Sequence, residues 1–137
     1  MRIMGIDYGT VRTGLAVSDE LGFIAQPIES YTYTSFKVLV EHIASECAKR
    51  SVGKIVIGLP KHMSGNEGDS AVKARGLGSA LSEKLGIPVI YQDERMTSKA
   101  AERALLESDM SRKKRREKID SVAASIILQS YLDSNTL

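Results

Sequence analysis

The apolar residues of this chain change their period once, and that change constrains the fold more than any other feature. Over residues 2–32 they come in short runs broken by turn-forming residues. Arg2 to Asp7 is one run, ended by Tyr8-Gly9-Thr10. Thr13 to Ser18 is the next, followed by the turn Asp19 to Gly22. Phe23 to Thr32 is the third, interrupted by Pro27, which suits an edge strand because proline cannot donate to a ladder. From Phe36 the spacing becomes helical. Phe36, Leu39, Val40, Ile43, Cys47 and Ala48 form one stripe, with Thr34 or Ser35 as N-cap. A chain that opens as a β-meander and goes on through helices is neither all-α nor all-β.

The later segments complete the pattern. Lys54 to Leu59 is a continuous apolar run stopped by Pro60, with a helix expected on either side, and reads as a buried parallel strand. A loop follows, Lys61 to Gly68, without a Walker-type Gly-Lys-Ser/Thr ending. A helix is expected from about Asp69 to Leu85, with Val72, Leu77, Leu81 and Leu85 inward and Gly86 as its C-cap. Ile87 to Tyr91 reads as a strand, Gln92 to Arg95 as a loop, and a helix capped by Thr97 or Ser98 runs to about Glu107. The basic run Arg112 to Lys118 leads into a last helix ending near Leu132. The order predicts an α/β fold: one mixed five-stranded sheet, a β-meander followed by two crossover units, flanked by helices, with the first strand central.

Composition narrows the function. A length of 137 residues with 42% hydrophobic and 26% charged residues suits one globular domain, 1–137. The single cysteine, Cys47, leaves no disulfide framework or cysteine-built zinc site within one chain, and on the apolar stripe it reads as a small core residue. His42 lies off the stripe and is expected in solvent. The longest apolar runs are too short for a membrane span, and Asp7 sits where a signal peptide would need its apolar core. A cytoplasmic protein without membrane contact is expected. The formal net charge of +2 conceals an asymmetry: residues 1–94 carry 10 basic and 11 acidic side chains, residues 95–137 carry 9 and 6.

Three acidic positions are candidates for chemistry. Asp7 ends the first strand, where open α/β sheets place ligands, on a side expected to be buried. The plainer alternative is a turn cap that accepts N–H bonds from Gly9 or Thr10. Asp93 and Glu94 follow the last strand; adjacent residues face opposite ways, so one of them would point to the site, and Glu94 is favoured. Asp120 precedes Ala123, Ala124, Ile127 and Tyr131 at helical spacing, which places it on the inward stripe of the last helix. Its alternative role is to favour the helix N-terminus. Carboxylates brought together at one sheet edge repel one another, and divalent cations relieve that repulsion. With oxygen donors alone the natural ion is Mg²⁺ or Mn²⁺, and acidic clusters holding two such ions run in-line phosphodiester cleavage. Arg112, Lys113, Lys114, Arg115, Arg116 and Lys118 form a charge run whose plainer reading is a solvated surface; because it adjoins Asp120, contact with a phosphate backbone is favoured, and Arg12 and Arg95 are counted with it as nucleic-acid-binding candidates.

These segments resemble a known family. Gly5-Ile6-Asp7-Tyr8-Gly9, with Arg12, Gly14, Ala16 and Ser18-Asp19, is similar to the opening motif of the YqgF family of Holliday junction resolvases, also called RuvX. Ile57-Gly58-Leu59-Pro60 with Gly65, Asp93-Glu94-Arg95 with Thr97, and Lys118-Ile119-Asp120-Ser121 with Ala123 and Ala124 resemble its other motifs, in order and along the whole chain. The resemblance implies a ribonuclease H-like fold related to RuvC and a metal-dependent nuclease with Asp7, Glu94 and Asp120 as ligands. It implies a nucleic-acid partner, either a four-way DNA junction or the 5′ end of the small-subunit rRNA precursor. A homodimer would match the two-fold symmetry of a junction. Two other readings fit parts of the chain. One is a nucleic-acid-binding module without catalysis that acts in ribosome assembly or transcription. The other is an actin-like nucleotide-binding module, because Asp7-Tyr8-Gly9-Thr10 resembles the phosphate-contacting hairpin of those ATPases.

Overall fold

A computed structural model of the chain describes residues 1–59, 68–93 and 112–134, with side chains of the last stretch described from 118 onward. Five strands form one sheet: β1 (Arg2–Tyr8), β2 (Arg12–Ser18), β3 (Ala25–Thr32), β4 (Val52–Leu59) and β5 (Val89–Asp93). Their spatial order is β3-β2-β1-β4-β5. β1–β2 and β2–β3 pair antiparallel, whereas β1–β4 and β4–β5 pair parallel. The meander, the central first strand and the two crossovers are therefore as the sequence predicts. Pro27 lies on the outer strand β3, opposite Ala16, beside an irregularity in the β2–β3 register.

Three helices are described: α1 (Phe36–Lys49), α2 (Asp69–Leu85) and α3 (Arg112–Ser134). Ser35 caps α1, its Oγ accepting from the Val38 N–H, and Gly86 ends α2 in the left-handed conformation at φ 67°. The helices divide the core by sheet face. Leu39, Ile43 and Cys47 of α1 and Ala71, Ala74, Leu77 and Leu81 of α2 pack with Met4, Ile6, Leu15, Ile55 and Ile57 on one face. Ala124, Ile127, Leu128, Tyr131 and Leu132 of α3 pack with Ile3, Ala16 and Val56 on the other. Alternation along β1 assigns Ile3, Gly5 and Asp7 to the α3 face and Met4, Ile6 and Tyr8 to the opposite one. Cys47 is buried, and that burial pushes its thiol up to about 12.

Several details depart from expectation. Phe36, Ala48 and Val72 are exposed; α2 turns Ala71 and Ala74 inward, small residues that let the helix lie close to the sheet. His42 is half-buried rather than solvated, because its ring stacks on Tyr31 and bonds Glu29. β3 begins at Ala25, since Phe23 and Ile24 donate their N–H groups to Asp19 Oδ1 and close the preceding turn. The Ile24 N–H, and then that of Phe23, hold the Asp19 carboxyl below the usual range. The basic run forms the first turns of α3 rather than a lead into it. The expected helix from Thr97 to Glu107 and most of the loop after Pro60 lie outside the described residues. Among the described residues, no helix is long and apolar enough to cross a membrane.

Candidate active site

Asp7, Gly14 and Ser30 form one row across the sheet, because Asp7 pairs with Gly14 and Gly14 with Ser30. Residues of one row project to the same face. Here that face is covered by α3, which descends onto the row at Asp120 and Ser121. The Ser121 N–H donates to Ser30 Oγ over 3.2 Å. A Cβ on Gly14 would lie 1.9 Å from the Asp120 carbonyl oxygen, so the helix backbone rests on the strand where only glycine fits. A Cβ on Gly5 would likewise meet Leu128 at 2.7 Å and the Ala124 carbonyl oxygen at 2.9 Å. Two glycines thus let α3 approach the central strands, and the Asp120 backbone rests on the strand that pairs with Asp7.

The Asp120 carboxylate accepts a hydrogen bond from Arg12 Nε at 2.7 Å. The Arg12 side chain is 45% exposed and that of Asp120 is 21% exposed. Arg12 opens β2, and a tight turn brings it there: a Cβ on Gly9 would fall 2.3 Å from the Arg12 carbonyl oxygen. The turn is held from the other face, where the Tyr33 hydroxyl donates to the Gly9 carbonyl at 2.5 Å and its ring stacks near Tyr8. Burial, with Tyr8 beside it, pushes the Tyr33 hydroxyl up to about 12. The folded protein therefore keeps this proton more tightly than the unfolded chain. The stability this contributes is intact below pH 10.0 and is lost as pH rises towards about 12. Melting temperatures measured across that window should fall less steeply for Tyr33→Phe than for the native protein.

The strands β1, β4 and β5 run parallel, so the end of β5 at Asp93 opens on the same sheet edge as Asp7. Asp93 is exposed. Glu94 and Arg95 lie outside the described residues, as do the side chains of Arg112, Lys113, Lys114, Arg115 and Arg116. Lys118 is exposed and lines a groove of about 280 Å³ with Pro27, Glu29, Ser30, Ser121 and Val122. Of the predicted site residues, Arg12 and Asp120 form an ion pair, Asp7 lies in the strand row on which the Asp120 backbone rests, and Lys118 lines the groove beside Ser30 and Ser121.

Sequence reasoning does not find the part played by Gly14 and Ser30; the available signal is a glycine in the middle of a buried strand. Ser18 and Asp19, read as part of a motif, are architectural: Ser18 Oγ accepts from the Ile3 N–H at 2.9 Å and Asp19 closes the turn. A separate set of potential metal donors, Glu29, His42 and Glu46, has its donor atoms within 4.8 Å of one another where α1 meets β3. Glu46 there already pairs with Arg50 at 3.2 Å.

A protein from Syntrophomonas wolfei named "Putative pre-16S rRNA nuclease" is 46% identical over 137 residues, covering 100% of this chain and 97% of that one. A protein of the same name from Myxococcus xanthus is 45% identical over 135 residues, covering 98% and 89%. Among solved structures, Thermus thermophilus RuvC in complex with a Holliday junction substrate superimposes with a TM-score of 0.64 at 16% identity, covering 99% of this chain and 97% of that one. The fowlpox virus resolvase with Holliday junction DNA gives a TM-score of 0.62 at 13% identity, covering 100% of both. These two show a shared fold, that of the ribonuclease H-like resolvases. The model of the family described as RuvX, Holliday junction resolvase, matches residues 1–134, and the chain belongs to that family.

Proposed function

We propose that this protein is a Mg²⁺- or Mn²⁺-dependent endonuclease for structured nucleic acid, with Asp7, Glu94 and Asp120 as the cation ligands. The observation that carries this reading is the seating of α3 on Gly14, which brings Asp120 over the row that contains Asp7. The donor set fits the ion: these three side chains offer oxygen alone, which suits a hard divalent cation. A pair of such cations supplies activation of the attacking water and stabilisation of the leaving oxygen. The chain's own residues do the rest. Asp7 at the end of the central strand and Asp120 on a helix packed through Ala124 and Leu128 hold their carboxylates on rigid elements. Arg12, Arg95 and the basic start of α3 meet the phosphate backbone. That helix is continuous from Arg112 to Asp120, so the basic run extends about 12 Å along the axis from the acid. Such contacts position a backbone without reading sequence.

The names of the relatives favour the precursor of 16S rRNA as substrate, and the family description favours a four-way junction. Both are tested side by side: a precursor fragment spanning the mature 5′ end, and a junction DNA, each with Mg²⁺, Mn²⁺ or EDTA. Cleavage of at least one substrate with either cation, and none with EDTA, is the expected outcome. Salt-sensitive binding of both without cleavage under any condition would instead favour a non-catalytic ribosome-assembly or transcription factor.

A further inference from the structure

The contact between Arg12 and Asp120 does more than join β2 to α3. Helix α3 is anchored without it. Ala124, Ile127, Leu128 and Tyr131 are buried against the sheet, Ser121 is bonded to Ser30, and the Gln129 side chain bonds both the Ala25 N–H and the Phe23 carbonyl. An ion pair this exposed adds little to stability. Yet two close approaches of the backbone bring it about: the turn at Gly9 presses residue 12 into place, and Gly14 seats Asp120 on the same strand.

The chemical consequence lies at the carboxylate. Arg12 Nε uses Asp120 Oδ2, and it sets a full positive charge 2.7 Å from the group that the proposed function assigns to a cation. We propose that Arg12 is a positioning residue that competes with the divalent cation for Asp120, and that it passes to a substrate phosphate when the cation takes the carboxylate. The inference rests on the assignment of Asp120 as a cation ligand. The guanidinium has five donors in a planar fork that matches phosphate, and its partial exposure leaves it open to one. Cation and substrate then favour each other's binding, since each relieves the other's competitor, and that coupling is reciprocal.

Two measurements on the full chain test this. The first is calorimetric titration with Mn²⁺ alone. Arg12→Ala should bind Mn²⁺ about threefold more tightly than the native protein, the scale of an exposed ion pair. Arg12→Lys, which keeps the charge, should remain near the native value. Asp120→Asn should bind about tenfold more weakly or worse. If Asp120→Asn leaves the affinity unchanged, the ligand assignment itself is wrong. If Asp120→Asn weakens binding while Arg12→Ala is unchanged or weaker, the ligand assignment stands and the competition is refuted. The second is binding of a four-way junction in EDTA, read by fluorescence anisotropy. Asp120→Asn should tighten it by freeing Arg12, and the gain should vanish in the Arg12→Ala background. A gain of equal size in that background overturns the transfer to phosphate. Circular dichroism on each variant confirms that the comparison is between folded proteins.

Discussion

Asp7→Asn should abolish cleavage, with single-turnover rates falling at least about 100-fold, and should leave the fold intact. Asparagine matches aspartate in volume and keeps one carbonyl oxygen, so β1 and its pairing with Gly14 are undisturbed. It loses the anionic oxygen that a divalent cation requires. Changes one shell further out cost 10–100-fold in comparable sites, and loss of a ligand costs at least the upper end of that range. The melting temperature, measured beside the rate, reports whether the fold survives the exchange. Measurement of both quantities on the same preparation separates chemistry from folding. An Asp7→Asn protein that cleaves at the native rate would remove Asp7 from the reaction.

Gly14→Ala should fail in a different way. The added methyl carbon would lie 1.9 Å from the Asp120 carbonyl oxygen, 2.2 Å from its carbon and 2.9 Å from the Ser121 nitrogen. All three atoms are backbone, so no side-chain rotation relieves the clash, and α3 must move off β2. Overpacking of this kind costs about 3 kcal/mol, which for a chain of this size lowers the melting temperature by roughly 10 °C. The displaced helix carries Asp120 away from Asp7, so Mn²⁺ affinity and cleavage should fall together. Gly76→Ala supplies the contrast. That residue sits on the exposed side of α2 with nothing within 4 Å of its would-be Cβ, and alanine there should stabilise by about 0.5–1 kcal/mol. A Gly14→Ala protein as stable as the native one would mean that the close approach of helix and strand is not needed.

The difference between these two glycines shows where the sequence is legible. Element type and order follow from periodicity: the meander, the continuous run of β4 and the central place of β1 all follow from apolar spacing and turn residues. The inward stripe of α3 is equally plain, because Ala123, Ala124, Ile127 and Tyr131 recur at helical intervals and are buried. Asp120 on that stripe therefore stands out as a candidate from spacing alone. What periodicity does not carry is distance across the fold. Nothing local in Gly14 says that a helix backbone more than a hundred residues later rests on it. Nothing local in Arg12 says that its partner is Asp120 rather than a phosphate. His42 illustrates the same limit: its helical position points to solvent, but the neighbouring strand supplies Tyr31 and Glu29 and covers it. The inward face of α2 differs from its apolar pattern for a related reason. Size patterning selects Val72, whereas close packing selects Ala71 and Ala74.

The proposed function requires the carboxylates at this sheet edge to share divalent cations. Anomalous diffraction from crystals soaked in Mn²⁺ tests it directly. The expected result is a peak about 2.1 Å from carboxylate oxygens of both Asp7 and Asp120, with the Arg12 guanidinium displaced from Asp120. A peak confined to Glu29, His42 and Glu46, with no density between Asp7 and Asp120, would contradict it.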